Sequence, residues 1–247
     1  MIQFADIHTH LLYGLDDGPK TKDEMWKLFE LAYSGGTRFF CLTPHYHAGL
    51  YRYGMDVLTA RFSELKREAE ARFPDACLIL GNELRYSPAA VDWLETGECL
   101  TMNHTGYVLV DFLEDEPRKR IEEAMYRLLN AGYRPILAHA ERYEDFGKDW
   151  EAFAKLREQG VLIQLDASSL FGDWSKHAKQ MGRALLKHDL VDLVGSDAHN
   201  TGSRPPDLGK AYEYVQKHFG AACAEAIFFR SAINLLFDKE LKKHVTG

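Results

Sequence analysis

The chain switches between two hydrophobic periods. Short apolar runs rich in aliphatic and aromatic residues predict strands at Gln3–Ile7, Thr37–Leu42, Cys77–Gly81, Tyr107–Val110, Arg134–Ala138, Val161–Leu165 and Val191–Val194. Between them apolar residues recur at spacings of three and four, the pattern of a helix with one buried face. Met55, Leu58, Phe62, Leu65 and Ala69 trace one such stripe. Thr21, with Glu24 three residues on, reads as a capping box that opens a helix running to Tyr33. Pro117 starts another helix near Ile121–Leu129. Further helices are expected at Lys148–Gln159, Ser175–His188, Leu208–Phe219 and Ala221–Phe237.

Strands alternating with helices across short connections imply a parallel sheet. Seven such units predict an α/β fold, a single-domain distorted seven-stranded (β/α) barrel over residues 1–247. An open doubly wound sheet is the alternative. No linker, internal repeat or low-complexity run divides the chain. A hydrophobic fraction of 46% and a charged fraction of 27% over 247 residues suit a soluble globular domain.

Charge then narrows the partners. With 30 Lys+Arg against 37 Asp+Glu the formal net charge is −7, which disfavours gripping nucleic acid or an anionic membrane by charge. No apolar run approaches the ~20 residues of a membrane span. The start, Met1-Ile2-Gln3-Phe4-Ala5-Asp6, lacks the basic patch and apolar stretch of a signal peptide. The expected compartment is the cytoplasm. Cys41, Cys77, Cys99 and Cys223 form no C-x-x-C pair, so neither a zinc ribbon nor a redox dithiol is indicated.

Both architectures gather chemistry at the C-terminal ends of the strands, and the unusual residues fall there. Asp6, His8 and His10 end the first predicted strand, with Asp16 and Asp17 in the following loop. His45 and His47 follow the second, Glu83 the third, Asp111 the fourth and His139 the fifth. Asp197 and His199 follow the seventh. The sixth ends more weakly, in Asp166 with Ser168 and Ser169. Any one of these alone reads as a surface histidine, a helix cap or a turn carboxylate. Chance would scatter the 11 histidines over helices, loops and both barrel ends.

His8-x-His10 has a geometry of its own, because residues i and i+2 of a strand share a face. Imidazole and carboxylate together suit manganese, iron(II) or zinc better than calcium or magnesium, which prefer oxygen alone. With no cysteine in the set, a closed structural zinc site is not indicated. The candidate ligands suffice for about two or three divalent ions, an arrangement that hydrolyses phosphoesters. Arg142, three residues past His139, and Arg204, five past His199, would add two-pronged phosphate binding; a solvent-exposed loop arginine is the plain alternative.

The motifs Asp6-Ile7-His8-Thr9-His10, Asp16-Asp17-Gly18-Pro19, Thr43-Pro44-His45, Gly81-Asn82-Glu83, His139-Ala140-Glu141-Arg142 and Gly195-Ser196-Asp197-Ala198-His199 stand in order along the chain. Together they resemble the PHP (polymerase and histidinol phosphatase) superfamily of metal-dependent phosphoesterases. Within it they are most similar to the bacterial protein-tyrosine phosphatases of the CpsB/YwqE type, which regulate capsule and exopolysaccharide. The resemblance implies a trinuclear site. His8, His10, Glu83 and Asp197 would hold the first ion. Glu83 would bridge to a second, completed by Asp111 and His139. Asp17, His45 and His199 would hold the third. Family members often have Glu where this chain has the shorter Asp111. Asp6 is expected to orient a ligand or cap its strand, and His47 is not needed by the pattern.

The activity so implied is phosphotyrosine hydrolysis by a water that manganese or a similar ion activates. Arg142 and Arg204 would hold the phosphoryl oxygens, and His45 or a second water would serve as acid. The implied partner is a phosphotyrosine protein, an autophosphorylating bacterial tyrosine kinase. Cysteine-based phosphatases place an arginine six residues after the nucleophile. Here those positions hold His47, Glu83, Thr105 and Phe229. The segment from Tyr46 to Tyr53 carries three tyrosines and Arg52. It reads either as an aromatic rim for the substrate or as a loop packing its own rings. Rival readings are a small-molecule phosphatase such as one for histidinol phosphate, an amidohydrolase and a metal-stabilised scaffold. The fourth strand ends Val110-Asp111-Phe112, without the lysine many amidohydrolases carboxylate there.

Overall fold

The computed structural model describes residues 3–238, so Met1, Ile2 and residues 239–247 of the expected domain lie outside the described residues. Among the described residues nine strands, all paired in parallel, build a curled wall of two sheets: β1 (Phe4–Thr9), β2 (Thr37–Leu42), β3 (His45–Tyr46), β4 (Cys77–Leu80), β5 (Glu83–Arg85), β6 (Tyr107–Asp111), β7 (Arg134–Leu137), β8 (Leu162–Asp166) and β9 (Leu193–Gly195). The order is β1-β2-β4 in one part and β3-β5-β6-β7-β8-β9 in the other.

Nine strands stand where seven were expected, because two strand lines are interrupted. Leu42 pairs with Leu80, and His45 with Glu83, so the chain crosses Thr43-Pro44 and Gly81-Asn82 in the same register. Proline has no amide to give a ladder, and Asn82 spends its side chain on the Pro44 carbonyl at 3.0 Å and on the Leu100 amide at 2.9 Å. After β9 the backbone meets β1. The Asp197 amide donates to the His8 carbonyl at 2.8 Å, and the His10 amide to the Ala198 carbonyl at 3.0 Å.

One buried cluster draws Ala5 and Ile7 from β1, Cys41 from β2, Ile79 from β4, Leu109 from β6, Ile136 from β7 and Leu193 from β9. Side chains from around the sheet thus meet inside its curl. Ala232, Leu235 and Leu236 from the last helix close that core at the end away from the strands' C-termini. Outside, helices α1 (Lys22–Ser34) and α2 (Met55–Arg72) cover β2 through Met25, Phe29, Leu58 and Leu65. The expected capping box opens α1: Thr21 accepts from the Glu24 amide at 3.2 Å, and Glu24 accepts from the Thr21 amide at 3.3 Å. A short α3 (Ala90–Glu95) was not predicted. Pro117 precedes α4 (Arg118–Asn130), and α5 (Trp150–Glu158), α6 (Lys176–Lys187) and α7 (Gly209–Phe219) stand where the periodicity placed them. The expected helix Ala221–Phe237 is divided into α8 (Ala221–Glu225), a π-helical turn (Ala226–Arg230) and α9 (Ser231–Leu236). Among the described residues no helix is long and apolar enough to cross a membrane.

Candidate active site

The polar residues singled out in the sequence converge at one end of the sheet. β1 runs two residues further than predicted, so His8 is inside the strand and His10 just beyond it. Their Nε2 atoms face each other at 3.2 Å. Glu83 Oε2 is 3.2 Å from both, and Asp197 Oδ1 is 3.5 Å from His8 and 3.4 Å from His10. Donors arranged tetrahedrally about 2.1 Å from a common centre stand about 3.4 Å apart, and the separations among these groups match that spacing. His139 Nε2 is 3.1 Å from Glu83 Oε1 and 3.4 Å from Asp111 Oδ1. Asp17 Oδ1 is 3.5 Å from His45 Nε2 and 3.3 Å from His199 Nε2. His45 also reaches Glu83 Oε2 through Nδ1 at 2.8 Å, so it touches two of the three groups.

Three of the rings are turned by a partner behind them, whereas His139 Nδ1 is buried and makes no hydrogen bond among the described residues. His10 Nδ1 meets Asp16 Oδ2 at 2.8 Å, His8 Nδ1 meets Gln164 Oε1 at 3.1 Å, and His199 Nδ1 meets the Asp197 carbonyl at 3.0 Å. With Nδ1–H donating, Nε2 presents its lone pair to the centre. Glu83 Oε2 and His199 Nε2 are buried and make no hydrogen bond among the described residues. His47 stands apart, bridged to Tyr51 through the backbone.

The backbone bends to deliver these groups. His139 and Asp197 hold left-handed conformations, φ 32° and 51°, uncommon for residues with a side chain and characteristic of functional sites. Gly18 lets the Asp16-Asp17 loop lie against β1: a Cβ there would stand 2.3 Å from the His10 carbonyl oxygen. At Gly195 a Cβ would stand 2.7 Å from that of His8.

Carboxylates set the charge state of the inner histidines. Burial alone would lower the His8 imidazole, yet Glu83 and Asp197 outweigh it and hold it up at about 9. His10 is likewise raised against burial, chiefly by Asp16. Burial would raise Glu83 and Asp197, but His45 and His8 beside the first and Arg142 and His8 beside the second hold both well below the usual carboxylate range. Asp6 is not part of the cluster. It accepts from Ser196 Oγ at 2.6 Å, the Ser196 amide at 3.0 Å and the His8 amide at 3.3 Å, as a residue that fixes its strand end. Burial pushes its carboxyl up to about 6.

A cleft of about 210 Å³ opens over the cluster. Arg142 and Arg204 both line it, donating to Asp197 Oδ2 at 2.8 and 2.5 Å, and Arg142 also pairs with Asp166. The Arg142 guanidinium lies 3.7 Å from the centre of the Trp174 ring, and Trp174 Nε1 donates to Glu114 Oε1 at 3.0 Å. The Tyr46–Tyr53 segment divides. Tyr46 is buried with its hydroxyl on Glu98, and the Tyr53 hydroxyl meets Asn82 at 2.8 Å. Only Tyr51 faces the site, stacked on His45 at 5.6 Å with 10° between the rings.

A family profile described as "Capsular polysaccharide synthesis, CpsB/CapC" matches residues 4–237. The chain belongs to the CpsB/CapC family. Tyrosine-protein phosphatase CpsB of Streptococcus agalactiae serotype III (strain NEM316) is 34% identical over 236 residues, covering 94% of this chain and 97% of that one. A solved structure from work on YwqE of Bacillus subtilis and CpsB of Streptococcus pneumoniae, described as unique metal-dependent tyrosine phosphatases, superposes with a TM-score of 0.86 at 27% identity and covers 94% of each chain. A putative histidinol phosphatase of Listeria monocytogenes shares the fold, with a TM-score of 0.54 at 13% identity over 85% of this chain and 99% of that one.

Two polar residues of this CpsB/CapC chain, Gln164 and Arg85, are not among those the sequence singles out, and Glu141 stands there in a motif without a role. Gln164 accepts from the His139 amide at 2.8 Å while it orients His8. Glu141 accepts from the Asp166 amide at 3.2 Å and is fully buried. Arg85 pairs with Asp111 at 2.7 Å. Gln164 lies two before Asp166 and Arg85 two after Glu83, so strand alternation could have placed both on the site's face. Burial pushes the Cys41 and Cys99 thiols up, away from a nucleophilic thiolate.

Proposed function

We infer that this chain is a metal-dependent protein-tyrosine phosphatase, a phosphoric monoester hydrolase. The observation that carries the reading is the quartet of His8, His10, Glu83 and Asp197, with Arg142 and Arg204 anchored on the same aspartate at the floor of an open cleft. The full-length likeness to proteins named tyrosine-protein phosphatases supports it.

Residues 1–247 are read as one PHP phosphoesterase domain. The unbroken register across the two strand interruptions, and the hydrogen bonds from β1 to the chain after β9, support a distorted seven-stranded barrel. His8, His10, Glu83 and Asp197 would hold one divalent ion, Glu83, Asp111 and His139 a second, and Asp17, His45 and His199 a third. Three overlapping donor groups support two or three ions: His8, His10 and Asp197; His45, Glu83 and Asp111; and His10, Asp17, His45 and His199. Manganese is the proposed ion, and iron or zinc fits the same donors. Bound there, the ions would supply positive charge to the phosphoryl oxygens and lower the pKa of a coordinated water.

The protein's own groups do the rest. Arg142 and Arg204 orient the phosphoryl group and offset the charge that spreads onto its oxygens. Asp197 and Asp166 hold Arg142 in place. The leaving phenol has a pKa near 10, so departure demands less of a general acid than an alkoxide would. The proposed source of that proton is His45 or a second water, His45 only where it does not hold the third ion. An open cleft admits a tyrosine carried on a protein, and the proposed substrate is a bacterial tyrosine autokinase that controls capsule or exopolysaccharide synthesis. The proposed compartment is the cytoplasm.

Phosphate release tests the reading. Chelator-stripped protein reloaded with manganese is given a phosphotyrosyl peptide and histidinol phosphate side by side, with Asp197→Ala as the blank. Release from the peptide, lost on stripping and in the variant, is expected. Preference for histidinol phosphate would move the chain to the small-molecule branch. No release from either, with metal bound, would sink the phosphatase reading.

A further inference from the structure

The two arginines singled out in the sequence, Arg142 and Arg204, are both anchored on Asp197. A third lines the same cleft. Arg85 ends β5 two residues after Glu83, and alternation along a strand puts both side chains on the same face. It is the register partner of Asp111 on β6, and its Nη2 holds Asp111 Oδ2 at 2.7 Å. β5 and β9 lie four strands apart in the curled sheet, so Arg85 and Arg204 approach the cleft from different walls.

Arg85 has donors to spare. Its Nε and Nη1 are buried from solvent and make no hydrogen bond among the described residues. Buried guanidinium N–H groups without acceptors are costly, and each in a native structure calls for an explanation. Arg142 has only Nε in that condition, and its Nη2 is taken by Asp166 and Asp197. Arg85, Glu83 and Asp111 all line the cleft, and a negatively charged ligand held there would supply the missing acceptors.

We propose that Arg85 is a third phosphoryl-binding arginine, which receives the substrate's phosphoryl oxygens from a different wall than Arg204. This rests on the phosphatase reading above and adds a contact to it. Nη2 keeps Asp111 in place, while Nε and Nη1 turn to the anion. Three phosphoryl oxygens would then be held from two sides.

Binding of inorganic phosphate to the manganese-loaded full chain, by calorimetry and as competitive inhibition, tests this in Arg85→Gln and Arg85→Lys. Metal content is measured on the same samples. Lysine keeps a positive charge opposite Asp111 but lacks the guanidinium's separate donors, so it should preserve a purely structural ion pair. Both variants are expected to bind phosphate about tenfold to a hundredfold more weakly, to raise KM more than they lower kcat, and to keep the parent's metal content. Parental phosphate affinity in Arg85→Lys, or loss of metal from it, would overturn the proposal and leave Arg85 as the partner of Asp111 alone. If Arg85→Gln does not fold, the lysine variant decides. A parent that binds no phosphate overturns it too. If the parent binds phosphate but releases none from a phosphotyrosyl peptide, the phosphatase reading fails, and the role of Arg85 is still read from binding.

Discussion

Asp16 does for His10 what no change at the histidine itself could report. Its Oδ2 takes both His10 Nδ1 at 2.8 Å and the His45 amide at 2.9 Å, and its Oδ1 takes the Gly18 amide at 2.9 Å. One carboxylate thus fixes a ring, a strand start and a loop. Asp16→Asn keeps the shape but offers one carbonyl where two oxygens accepted. We expect metal affinity to fall by about 10–100-fold, read as a shifted manganese titration of activity; a parental titration curve would show that His10 is oriented without it. Residues of this kind were only half legible. His8-x-His10 announces itself, because alternation along a strand makes two histidines one site. Asp16 reads as a turn, and Gln164 reads as an interruption of an apolar strand, since nothing in either segment names the ring it serves.

Elements were legible where they were long. The helical stripe from Met55 to Ala69 and the capping box at Thr21 carry their own periodicity and their own hydrogen bonds, and both stand as read. β3 and β5, of two and three residues, carry no period at all. They exist because partners hold them: His45 against Glu83, and Arg85 against Asp111. The last helix could be located but not its break. Its final turn seals the interior, with Leu235 and Leu236 buried against residues from around the sheet. Leu235→Ala is expected to cost about 2–5 kcal/mol of stability, measured by denaturant unfolding, with kcat little changed because the site lies at the other end. A variant as stable as the parent would mean that α9 is not part of the core.

At the scale of the whole molecule, the site is a concentration of charge that the fold must hold in place. Glu83, Asp111 and Asp197 are buried together, faced by His8, His45 and His139 and by the guanidiniums of Arg85, Arg142 and Arg204. Divalent ions bound to the native state alone would therefore tie catalysis to folding stability. Saturation at about 1,000 times Kd adds about 4 kcal/mol, and in a chain of this size that is about 8–16 °C in Tm. Chelation should lower the melting temperature by that order, and manganese should restore it; a Tm indifferent to both would mean no ion is held. The indole of Trp174 has a consequence of another sort. Half-exposed, stacked on the Arg142 guanidinium and tethered to Glu114, it is an optical reporter at the mouth of the cleft. An anion that draws Arg142 or Arg204 toward it alters the field at that ring. Emission should therefore shift as phosphate is titrated in, and the shift should vanish in Trp174→Phe while the other tryptophans stay silent.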